Sequence, residues 1–245
     1  MFAKLPQRYL LGQLTPSSNT VLEPICAQIV AGVPDTTFHF SRFVVTQISM
    51  EKNALAQFDH KPILEASKLL ADAHVQVICW NGTAAGWLGF EADEKLCETI
   101  TRETSVAACT AVLSFNEVFR KTGVKKFGIV SPYIASVQDA IKANYAKHGW
   151  DCVADTHYNE TVNFAFSEFT EEQIAASIRE VAKAGPEAIL VYCTNMRGAP
   201  VVAELEKETG IPIYDSVSVC VWKSMLVAGT DPSRVKGWGR LFDLK

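Results

Sequence analysis

Hydrophobic positions fall in short β-rich runs separated by longer stretches with helical spacing. The runs that predict strands are Tyr9 to Leu14, Thr37 to Val45, Val75 to Cys79, Lys126 to Val130, Val153 to Tyr158, Ala188 to Tyr192 and Ile211 to Tyr214. Between them the pattern predicts helices at Thr20 to Ala31, Phe58 to Ala73, Glu91 to Arg102, Ala111 to Thr122, Ile134 to His148, Glu171 to Lys183, Ala199 to Thr209 and Val217 to Ala228. Thr170 with Gln173 has the spacing of a capping box, and Gly123 and Gly149 stand where helices stop. Strand and helix in alternation imply an α/β protein, a parallel, doubly wound sheet with helices on both faces. Ligands in such folds bind beyond the carboxyl ends of the strands.

A faint repeat divides the chain. Val75 to Asn81 and Glu187 to Asn195 both read as an apolar strand ending in Cys-x-Asn, with Cys79 and Cys193 separated by 193 − 79 = 114 residues. Leu14-Thr15-Pro16 and Val130-Ser131-Pro132 are spaced 132 − 16 = 116 residues apart, nearly the same shift. Two similar lobes facing one another are the expectation.

The chain has 245 residues, 48% of them hydrophobic, a formal net charge of −4 and no block of like charges. That is enough for one large domain or two small lobes. The missing basic stripe argues against nucleic acid, and no apolar run reaches the roughly 18 residues of a membrane span. No signal-peptide pattern opens the sequence, so the expected compartment is the cytoplasm. The seven cysteines, an odd number without a secretory signal, argue against a disulfide framework, and no CxxC or HxxxH spacing points to zinc. Most free cysteines are small buried hydrophobes.

Cys79 and Cys193 are singled out by the turns that succeed them. Asn81-Gly82-Thr83-Ala84 after Cys79 and Thr194-Asn195-Met196-Arg197-Gly198 after Cys193 are rich in small and polar residues. Backbone N–H groups in such turns hold carboxylates and favour thiolates. Cys109-Thr110 is a further candidate for the cleft, with Thr110 as a helix cap. Cys220 and Trp222 are expected to pack, and Glu51 and Asp59 to be solvated.

The opening Leu11-Gly12-Gln13-Leu14-Thr15-Pro16-Ser17-Ser18-Asn19-Thr20-Val21-Leu22-Glu23 resembles that of maleate cis-trans isomerases and arylmalonate decarboxylases, a branch of the aspartate/glutamate racemase superfamily. Val130-Ser131-Pro132-Tyr133, Asn163 ten residues before Gln173, Cys193 and Gly237-Trp238-Gly239-Arg240 extend the resemblance through the second half. It implies two flavodoxin-like lobes with parallel sheets, related by a pseudo-two-fold, with the active site in the cleft. Residues 1–115 with 215–245 would form the first lobe and 116–214 the second. It also implies Asn19, Tyr133 and Asn163 as carboxylate ligands, Cys79 as nucleophile and Cys193 as its acid/base partner. Asn81, Thr83, Thr194 and Asn195 of the two turns complete the expected substrate site. The structural alternatives, set behind the ligand role, are that Asn19 caps the next helix, Tyr133 packs and Asn163 turns the chain.

The reaction this implies is cofactor-free and metal-free isomerisation of a small cis-dicarboxylate through a Cys79 thioether. A two-cysteine racemase, an arylmalonate-type decarboxylase and a non-catalytic carboxylate binder are the competing readings. The expected partner is a small carboxylate, and homo-oligomers are compatible with the sequence. One departure is visible: Trp80-Asn81-Gly82-Thr83 is not the small apolar run expected after the isomerases' first cysteine.

Overall fold

The computed structural model describes residues 7–51 and 60–245. It contains two four-stranded parallel sheets. The first has β1 (Tyr9–Pro16), β2 (Thr36–Phe43), β3 (Val77–Trp80) and β4 (Ala107–Thr110) in the order β2-β1-β3-β4. The second has β5 (Lys126–Ser131), β6 (Asp151–His157), β7 (Ala188–Val191) and β8 (Ile213–Asp215) in the order β6-β5-β7-β8. The second order is the first with four added to each strand, so the repeat in the sequence is a duplication of topology.

Helices α1 (Leu22–Ile29), α2 (His60–Asp72), α3 (Ala85–Leu88), α4 (Phe90–Thr104) and α5 (Ala111–Thr122) accompany the first sheet. With the second run α6 (Ala135–Lys147), α7 (Glu171–Ala182) and α8 (Ala199–Thr209). The chain then returns, and α9 (Ser216–Ala228) packs against α1, α5 and strands β1, β3 and β4. That position accounts for its composition: α9 is buried over most of its length, with Val217, Val219, Cys220, Val221, Trp222 and Met225 all fully buried. Burial on all sides, rather than one apolar stripe, makes it a core helix.

Local chemistry sets most element ends. The Thr110 hydroxyl accepts from the Leu113 amide and starts α5, and Gly123 in the left-handed region (φ 75°) ends it. Thr170 and Gln173 form the expected capping box of α7. Among the described strands and α-helices, two lie outside the sequence expectation. β4 is a four-residue strand where the pattern shows only the start of a helix, and α3 is a single turn directly after the β3 loop. The predicted start of α2 at Phe58, and Asp59, lie outside the described residues. Glu51 is exposed, as expected.

Side chains from both lobes interlock between the sheets. The Asn19 amide donates to the Thr194 carbonyl at 3.1 Å, and the Asn195 side-chain oxygen accepts from the Thr20 and Val21 amides at 3.0 and 3.3 Å. Asn144 of α6 donates to the carbonyl of Ala85 in α3. The facing strand ends are thereby held together, and the cleft between them is where a site can form.

Candidate functional site

The cleft is lined by Pro16, Val45, Ile48, Trp80, Asn81, Gly82, Thr83, Ala84 and Trp87 of the first lobe. Tyr133, Asn163, Cys193 and Thr194 of the second complete it. About 20 Å³ inside it is open to a water-sized group, so a substrate must part the walls to enter. One contact in particular must yield: the Thr83 and Tyr133 hydroxyls, one from each lobe, pair across the cleft at 2.6 Å. A larger open groove of about 550 Å³ is lined by Phe164, Glu168 and Arg197 among others. It is a surface depression without a thiol, whereas the smaller cleft contains Cys193.

Cys193 is the cysteine of that cleft. It lies just beyond β7, is 3% exposed, and its sulfur accepts from the Asn195 amide at 3.4 Å. Burial pushes its thiol up to about 12, so the resting group carries its proton at neutral pH. The Asn195 amide, the Tyr133 hydroxyl and the Met196 amide work the other way by stabilising the sulfur anion, while the buried Asp215 carboxylate opposes it. Tyr133 is therefore bonded to Thr83 on one side and directed at Cys193 on the other.

Cys79 is elsewhere. Successive strand residues point to opposite faces, and where Trp80 faces the cleft, Cys79 turns to the face covered by α9. Its neighbours there are Cys109, Cys220 and Ser224, it is fully buried, and burial holds its thiol well above the ordinary range. The expectation of Cys79 as a nucleophile in the cleft is corrected by this direction. Cys109 lies beside it on β4 rather than in the cleft.

The strand register accounts for the difference. Leu14 pairs with Trp80 on β1 and β3, as Val130 pairs with Val191 on β5 and β7. The Asn81 amide donates to the Leu14 carbonyl, as the Tyr192 amide donates to that of Val130. With the Pro16 and Pro132 loops superposed, the shift is 191 − 80 = 111. Adding 111 carries Gly82 onto Cys193 and Thr83 onto Thr194. The residue opposite Cys193 in the duplicated fold is thus Gly82, and the shared Cys-x-Asn spelling is out of register by three. Gly-Thr against Cys-Thr is the signal that a register-first comparison finds.

The remaining expected residues divide. Thr83, Tyr133, Asn163, Asn81 and Thr194 line the cleft. Asn163 donates to the Ser18 hydroxyl at 2.7 Å, and the Thr194 hydroxyl donates to the Asn81 carbonyl at 2.9 Å. Asn19 and Asn195 are not in the lining. The Asn19 side-chain oxygen accepts from the Val21 and Leu22 amides at 3.0 and 2.9 Å, capping α1, while its nitrogen is taken by Thr194. Both polar atoms are engaged within the protein, so in the closed cleft Asn19 ties the lobes and holds the amides at the start of α1, and a carboxylate bound there would have to replace one of these partners. Asn195 bridges to Thr20, Val21 and the Asn163 carbonyl. The sequence does not single out Trp87, Val45 or Ile48, which with Trp80 and Pro16 make the apolar walls.

The family profile described as arylmalonate decarboxylase matches residues 27–242. The chain belongs to the arylmalonate decarboxylase family. Among members and relatives, it is 26% identical to the maleate isomerase of Pseudomonas putida over 250 residues, 97% of this chain and 98% of that one. It is 21% identical to the arylmalonate decarboxylase of Bordetella bronchiseptica over 184 residues, covering 74% and 77%. Among solved structures, the maleate isomerase of Pseudomonas putida S16 with maleate superposes with a TM-score of 0.87 at 20% identity, covering 97% of this chain and 98% of that one. A maleate cis-trans isomerase variant of Nocardia farcinica, with serine for one cysteine and a covalently bound succinylcysteine, superposes with a TM-score of 0.87 at 19% identity, covering 97% and 98%. This member of the decarboxylase family thus shares its two-lobed α/β architecture with both kinds of enzyme. Among its described residues no group of three His, Cys, Asp or Glu is arranged to hold a metal ion, and no helix is long and apolar enough to cross a membrane.

Proposed function

We propose that the chain is a cofactor-independent isomerase of a small cis-dicarboxylate of the maleate type, with Cys193 as its reacting thiol. The observation that carries this is the convergence of Cys193, Tyr133 and Thr83 in one closed cleft, with the thiol protonated at rest. Support for isomerisation through a cysteine thioether, though not for which thiol carries it, comes from the maleate isomerases among the relatives and from the succinylcysteine that one of them holds with another cysteine replaced by serine.

A maleate dianion is a poor acceptor for a sulfur nucleophile, and a buried thiol is a poor source of thiolate. Each deficiency answers the other. When the substrate displaces the Thr83–Tyr133 contact, the thiol proton passes to the carboxylate conjugated with the alkene. The sulfur then adds to the alkene carbon farther from that carboxyl, forming a C–S bond. The π electrons move into an enediolate, held by the freed hydroxyls and the loop amides. The former double bond is single and rotates. Reversal expels sulfur, restores the alkene in the trans form and returns the proton to Cys193. No C–H bond breaks, and no metal or organic cofactor takes part.

A second reading is favoured by the apolar walls at Pro16, Val45 and Ile48: loss of carbon dioxide from a substituted malonate, with the Cys193 proton delivered to the enediolate carbon. One experiment separates the two. Proton NMR in deuterated water with maleate is expected to show fumarate with its alkene hydrogens undiluted. Release of carbon dioxide from malonates with no reaction of maleate would replace the isomerase by the decarboxylase.

A further inference from the structure

The indole of Trp80 is a partition one side chain thick. On one side it faces the cleft. On the other it faces a second cavity of about 30 Å³, lined by Ile63, Ala84, Leu88, Leu96 and Asp93 among others. Ala84 borders both spaces. The Asp93 side chain at this second cavity is buried, and among the described residues its Oδ2 has no hydrogen-bond partner.

Two contacts fix the partition. The ring packs on Phe43, with centroids 5.1 Å apart, and its benzo edge lies over Gly82 so closely that a Cβ there would overlap it. Gly82 is the pseudo-symmetric counterpart of Cys193, so the indole occupies the volume opposite the reacting thiol. A substituent on a substrate carbon that points away from Cys193 meets Trp80 first, and behind Trp80 there is space.

We propose that Trp80 sets the size limit of the site: it restricts the cleft to unbranched small dicarboxylates by closing off the cavity at Asp93. The proposal rests on the reading that the cleft binds dicarboxylates. Loss of the indole is expected to merge the two spaces and admit a ring-sized substituent.

Unreactive diacids test this independently of turnover. Calorimetric titration of the wild-type protein with succinate and with 2-phenylsuccinate is expected to show the phenyl compound binding about tenfold more weakly, or worse, by exclusion. In Trp80→Ala the ratio is expected to shift by about tenfold or more toward 2-phenylsuccinate. Trp80→Phe keeps a ring on Phe43 and serves if the alanine variant does not fold, with an expected shift of about threefold in the same direction. Succinate binding with an unchanged ratio in the folded variants overturns the proposal alone. Failure of the wild-type protein to bind succinate overturns the dicarboxylate reading and the proposal with it.

Discussion

Gly82 and Cys193 occupy the same position in the two halves of the molecule, each two residues beyond the strand residue that pairs with its lobe's first strand. One half supplies a thiol there and the other supplies none, its space being taken by the Trp80 ring. The duplicated fold therefore presents an asymmetric site: sulfur on one face, an aromatic wall on the other. Addition and expulsion by a single sulfur needs no second thiol, whereas exchange of protons on both faces of a carbon does.

The two cysteines are expected to separate on substitution. Cys193→Ala should lower turnover of maleate by about 10³-fold or more, because the nucleophile and its proton are removed together. Cys79→Ala should leave the rate within about threefold, since Cys79 lies under α9 among Cys109, Cys220 and Ser224. Its cost should fall on stability, about 1 kcal/mol for a buried sulfur removed from close packing, read from urea unfolding. A Cys79 variant that folds and is inactive would restore the two-cysteine scheme.

Asn19 is expected to matter for stability rather than for substrate affinity. Asn19→Ala removes the cap of α1 and the tie to Thr194, at a cost of about 2 kcal/mol in urea unfolding. KM for the diacid should move by less than about threefold, because neither polar atom of Asn19 is free for a carboxylate. A large rise in KM at unchanged stability would return Asn19 to the site.

How much of this is legible in the sequence? The strand–helix alternation, both ends of α5 and the stop after α6 are plain, because Thr110, Gly123 and Gly149 mark them with a cap and left-handed residues. β4 is not: Ala107-Ala108-Cys109-Thr110 is too short and too rich in small residues to show a strand period. Of the site, Thr83, Thr194 and Cys193 stand out because turns after strands are where such folds place chemistry, while Tyr133 stands out only through the resemblance. Cys79 misleads because the face a strand residue takes depends on register, and a slip alters the side on which a thiol emerges. Asn19 reads both ways in the sequence, and in the closed cleft the α1 amides hold it.

Asp93 gives a pH signature to the fold. Burial raises its carboxyl from 3.8 to about 7, partly offset by a hydrogen bond from Thr110. Between those values the folded protein holds a proton that the unfolded chain has released. Stability is therefore greatest below about pH 4 for this group and declines as pH rises to about 7, by at most on the order of 4 kcal/mol. Asp93→Asn should reduce that decline, leaving the part due to Asp215, whose carboxyl burial likewise raises to about 7. Melting temperatures across this range check it, and parallel wild-type and variant curves would contradict it.

The central claim is that sulfur of Cys193, and of no other cysteine, bonds to the substrate. Acid quench during turnover of maleate protonates the enediolate at carbon and fixes the thioether as a succinyl group, which peptide mass spectrometry then maps. The account predicts succinylation of the peptide containing Cys193 and an unmodified peptide containing Cys79. Succinyl on Cys79, or undiminished turnover by Cys193→Ala, would contradict it.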